Sequence, residues 1–73
     1  MTMEDLRILG ARHDRAARKV VAIATNIAEA VADGGELPEE MRQAYIRARA
    51  ECISAKGDLA KALDDAFEDA LYG

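Results

Sequence analysis

The chain of 73 residues is predicted to be all-α, two long helices folded back on each other as an antiparallel hairpin. Two observations carry this. A single break, Asp33-Gly34-Gly35-Glu36-Leu37-Pro38, lies at the middle of the sequence. On each side of it, apolar residues recur at spacings of three and four over about thirty residues, with no other strong breaker.

The first helix is expected over about residues 3–33. Thr2 is a good N-cap residue, and Asp5 three positions on forms a weak variant of the capping box while placing negative charge in the first turn. Gly34 or Gly35 can take the left-handed conformation that ends a helix, which leaves residues 34–37 as the turn. The second helix is expected over about 38–71. Pro38 is preorganised for the first helical position, and Glu39 and Glu40 again suit a helix start. At about 1.5 Å per residue each helix is about 45 Å long, so the molecule should be a rod.

Leu6, Leu9, His13, Ala16, Val20, Ile23, Ile27 and Ala30 form the seam of the first helix, in the alternating three-and-four spacing of a coiled coil. Met41, Tyr45, Ala48, Cys52, Ala55, Leu59, Ala62 and Ala66 repeat the pattern in the second. So many alanines imply a close approach of the two helices. Arg12 and Lys19 flank one seam while Glu51, Asp58 and Asp65 flank the other, an arrangement that sets bases beside acids in an antiparallel pair. Exposed pairs of this kind contribute only ~0–1 kcal/mol each and chiefly select the alignment.

A second apolar stripe runs along the other side. Ile46, Ile53, Ala60 and Phe67 recur every seven residues, Leu63 lies between them and the seam, and Ala17, Val21, Ala24, Ala28 and Val31 join from the first helix. One hairpin cannot bury both its seam and this side, and a contiguous exposed apolar patch marks an interaction surface. Ile46, Ile53, Leu63, Phe67, Val21 and Val31 are therefore the expected oligomer or partner interface. Domains this small draw no more than ~3–5 kcal/mol from one core and need staples or partners. One cysteine excludes an internal disulfide, and one cysteine with one histidine cannot close a zinc site. The expectation is a homodimer, the two hairpins pairing into a four-helix bundle.

Composition narrows the function classes. A formal charge of −4 and few aromatic residues speak against a general binder of nucleic acid or anionic membranes. The acidic start and the absence of a long apolar run lead to the expectation of a cytoplasmic protein. No catalytic, cofactor or metal site is expected. His13 is read as a seam residue that sets register, with Asp58 as a candidate partner; Ser54 and Cys52 are not tied to it by any nucleophile spacing. Cys52 and Tyr45 are read as core residues, and the Gly34-Gly35 turn lacks the Lys and Ser/Thr of a phosphate loop.

The function expected is a non-enzymatic protein-protein interaction module: a small acidic homodimeric regulator or adaptor, or an inhibitor of a larger protein, of the size and character of the anti-CRISPR proteins that phages and mobile elements make. Asp64, Asp65, Glu68 and Asp69 form the expected charged partner surface, which would suit a basic groove. The alternative is a nucleic-acid binder using Arg7, Arg12, Arg15, Arg18 and Lys19. That reading resembles, in architecture alone, the plasmid copy-number regulator Rop, a dimeric helical hairpin that binds RNA.

Overall fold

The computed structural model describes the backbone of residues 2–72 and the side chains of residues 2–68. It contains helix α1, Met3–Ala32, and helix α2, Glu39–Tyr72, packed antiparallel along their length. The molecule is a rod with extents of 57 × 20 × 17 Å. Both helices lie within a residue of the bounds read from sequence, which is the ordinary uncertainty of a helix end.

Each end has a local cause. At the start of α1 the Thr2 hydroxyl accepts from the Asp5 amide at 3.2 Å, and the Asp5 carboxylate accepts from the Thr2 amide at 3.1 Å. The capping box is complete, with Asp in place of the commoner Glu. At the other end the Gly34 amide donates to the Val31 carbonyl at 3.0 Å and the Gly35 amide to the Ala30 carbonyl at 3.3 Å. Those two bonds are a Schellman motif, which requires a left-handed residue after the cap, and Gly34 supplies it with φ of 78°. Pro38 differs from its expected place by one residue. It stands just outside α2, where its carbonyl accepts from the amides of both Met41 and Arg42 at 3.1 Å.

The ion pairs across the hairpin set its register. Arg12 donates to Asp58 at 2.7 Å, and Lys19 lies 3.8 Å from Glu51. Each step of seven residues forward on α1 is thus a step of seven backward on α2. The same step carries Asp65 to the level of Asp5, so the third acid of the row meets an acid rather than a base.

The seam is occupied largely as the spacing predicts. All eight seam residues of α1 are half-buried, and Ala48, Ala55 and Ala62 of α2 are almost fully buried. Met41, Tyr45, Cys52 and Leu59 are half-buried between them. Ala66 departs from the pattern and is exposed, because in this register it lies at the level where α1 begins and little chain remains to cover it. The fully buried side chains among the described residues are alanines, so the helices approach closely but remove little apolar area from water.

Candidate interaction surface

The two flanks of the seam differ chemically. On one, Arg12 and Lys19 meet Asp58 and Glu51. On the other, the positions of α1 next to the seam are Gly10, Ala17, Ala24 and Val31, and those of α2 are Arg42, Arg49, Lys56 and Leu63, each set repeating every seven residues. Beyond them on α2 runs the stripe of Ile46, Ile53, Ala60 and Phe67.

All six residues expected to form an interface are exposed: Val21, Val31, Ile46, Ile53, Leu63 and Phe67, with Ile53 at 60% and Phe67 at 55%. The structure places two grooves on this side. At the open end of the hairpin a groove is lined by Met3, Glu4, Leu6, Arg7, Leu63 and Phe67. At the turn end a second is lined by Ala24, Ile27, Leu37, Arg42 and Tyr45. Met3 and Leu37 extend the apolar side beyond the residues singled out by spacing. Met3 falls seven positions before Gly10 and is legible from the period; Leu37 lies in the turn, where no period applies. Ile8 is also exposed, on α1 away from these grooves.

The row of Arg42, Arg49 and Lys56 carries information that attention to the opposite flank misses. Its signal in the sequence is a seven-residue interval beside the apolar stripe. Arg42 lies 3.7 Å from Glu39 of its own helix, while Arg49 and Lys56 have no ion pair among the described residues.

The expected charged surface is placed less completely. Asp64, Asp65 and Glu68 are exposed near the end of α2 and make no ion pair among the described residues; the side chain of Asp69 lies outside them. Arg7, the nearest base by register, is engaged by Glu4. Elsewhere on α1, Arg18 lies 3.1 Å from Asp14, so of the five bases singled out there Arg15 alone lacks an ion pair among the described residues.

His13 is half-buried in the seam, and its candidate partner, Asp58, is engaged by Arg12 instead. Cys52 is a half-buried free thiol and Ser54 is exposed. Among the described residues no three His, Cys, Asp or Glu side chains are grouped to hold a metal ion, and no helix is long and apolar enough to cross a membrane. No family model, curated protein or solved structure matches the chain.

Proposed function

We propose that the protein is a non-enzymatic interaction module, a small acidic regulator or inhibitor that acts in the cytoplasm by covering part of another protein. The observation that supports this most is the contrast between its interior and its apolar side. The fully buried side chains among the described residues are Ala48, Ala55 and Ala62, whereas Ile46, Ile53, Leu63 and Phe67 face solvent beside two apolar grooves. A hairpin built this way fully buries only small side chains, half-buries the large ones of its seam and leaves a second large apolar set in solvent, where a self-sufficient domain would bury large side chains in a core. Its stable form is the covered one.

Nucleic-acid binding by α1 is the weaker reading because Glu4, Asp58, Asp14 and Glu51 already neutralise Arg7, Arg12, Arg18 and Lys19. Counterion release needs bases free to meet phosphates.

Sedimentation and circular dichroism of wild type and Ile53→Asp test the proposal. Wild type should gain helicity and thermal stability when the apolar side is covered, and Ile53→Asp should lose that gain by burying an unpaired charge in the interface. A fully helical monomer of ordinary domain stability, indifferent to Ile53→Asp, would refute it.

A further inference from the structure

We infer that the apolar side of the hairpin receives an acidic amphipathic helix from a different protein, laid along it from one groove to the other so that its carboxylates meet the unpaired Arg49 and Lys56 and compete with Glu39 for Arg42. The inference rests on the proposed function and names the partner's chemistry. Residues seven apart occupy nearly the same angular position on a helix, so the three bases form a straight row about 21 Å long, from the fourteen residues that separate the first from the last. They stand between the seam and the stripe of Ile46, Ile53 and Phe67, and Arg42 lines the apolar groove at the turn end. Nothing on the facing flank of α1 can answer them: Gly10, Ala17, Ala24 and Val31 carry no carboxylate.

Few carboxylates of the two helices reach this row: Glu39, in line with the apolar stripe, lies 3.7 Å from Arg42, and Arg49 and Lys56 have no ion pair among the described residues. Glu51 and Asp58 lie on the opposite flank with Lys19 and Arg12. Asp14, which borders the apolar side, is held by Arg18, and Glu4, on the rim of the open-end groove, is held by Arg7. Despite a chain charge of −4, this side is therefore locally basic along α2. A second copy is a poor occupant. Stacking two hairpins α2 on α2 by this side would bring both basic rows into one buried layer, where like charges repel and Arg49 and Lys56 lose their hydration without a partner. A bilayer fits no better, because its surface is flat and these bases lie between apolar rows rather than at the edge of one, where long basic side chains ordinarily reach the headgroups. A helix has the right shape to lie along this side and engage the groove at each end. Apolar residues on its inner face would reach Leu63 and Phe67 at one end and Ile27 and Leu37 at the other, and acids at seven-residue intervals would sit beside the basic row.

The test uses a synthetic amphipathic helix of about three heptads, carrying Leu and Ile on one face and Glu at one flanking position of each heptad, with matched peptides bearing Gln or Lys there. Fluorescence anisotropy at low and high salt reads binding to the full chain. The Glu peptide should bind about tenfold or more tightly than the Gln peptide at low salt, with the difference shrinking as salt screens the pairs. R42E/R49E/K56E should invert the preference towards the Lys peptide, a gain that misfolding could not produce. Equal binding of all three peptides, tighter binding to anionic vesicles, or a homodimer that excludes the Glu peptide would each overturn the acidic helix as occupant while leaving the interaction module standing. If the side binds neither peptide nor a second copy, and Ile53→Asp leaves a stable helical monomer, the proposed function falls with it.

Discussion

Arg12 and Asp58 meet across the hairpin at 2.7 Å, and together with Lys19 and Glu51, seven residues along each helix, they decide which residues of the two helices lie side by side. The seam of α2 places alanine at Ala48, Ala55 and Ala62, one heptad apart, and this repeat discriminates weakly between alignments that differ by one heptad. Charge adds to the distinction that His13 and Tyr45 make within the seam.

The Arg12–Asp58 pair should accordingly contribute more to alignment than to stability. Its side chains are 44% and 54% exposed, so a double-mutant cycle by urea denaturation should give a coupling of about 0–1 kcal/mol, smaller in high salt. The exchanged pair, Arg12→Asp with Asp58→Arg, should recover most of what either single change loses. A coupling several times larger would show that the pair is shielded by something covering that flank.

His13→Leu should stabilise the protein by about 1 kcal/mol, since a half-buried imidazole would give way to an aliphatic side chain at a seam position. The comparison needs matched protein concentration, because any association shifts the apparent midpoint. Binding should persist. A well-folded His13→Leu variant that no longer binds its partner would give the histidine a role beyond the seam.

The hairpin is legible in sequence because each of its devices is local: Thr2 with Asp5 at one end, Gly34 and Gly35 at the other, and a repeat of three and four that neither helix interrupts. Register is legible only in part, since Asp58 suits either Arg12 or His13 until the two helices are placed. The period continues through Ala66 and marks it as seam, although the facing helix begins at that level and leaves it uncovered. The apolar side is legible for the same reason as the seam. The basic row beside it is harder to weigh, because a flanking Arg or Lys is ordinary on a helix and becomes informative only once the opposing flank proves to be Gly, Ala and Val.

Two glycines should respond oppositely to alanine. Gly34 holds φ of 78°, a region that costs an L side chain roughly 1–2 kcal/mol, so Gly34→Ala should destabilise by about that amount. Gly57 lies inside α2 with open space where a methyl group would stand, and Gly57→Ala should stabilise by about 0.5–1 kcal/mol through helix propensity alone. Thermal denaturation of the two variants side by side checks the sign of each.

The Asp5 carboxyl should titrate below the ordinary aspartate range. The Thr2 backbone amide that donates to it is the main cause, and the Thr2 side chain adds to the effect. A group whose pKa is lowered on folding stabilises the folded state above its unfolded pKa and loses that contribution as pH falls through the folded value. The cap should therefore hold at neutral pH and fray in acid. Carboxyl chemical shifts followed by NMR should place the Asp5 midpoint low in wild type and raise it only in part in Thr2→Ala, which loses the hydroxyl but keeps the backbone amide that is the main cause; loss of the hydroxyl cap should also cost that variant about 1 kcal/mol of stability at neutral pH.

Ala55 and Ala66 both belong to the seam pattern but occupy environments that differ sharply, and a leucine at each separates period from packing. Ala55 is 1% exposed, and the close approach of α1 and α2 depends on its small size. The added isopropyl group there must push the helices apart, so Ala55→Leu should destabilise by about 1–3 kcal/mol by urea denaturation. Ala66 is exposed at the open end, where the same change meets solvent and should fall within about ±0.5 kcal/mol. A stabilised Ala55→Leu would mean that the helices stand far enough apart to accept a larger core, and with it that the apolar side need not be covered for the hairpin to fold.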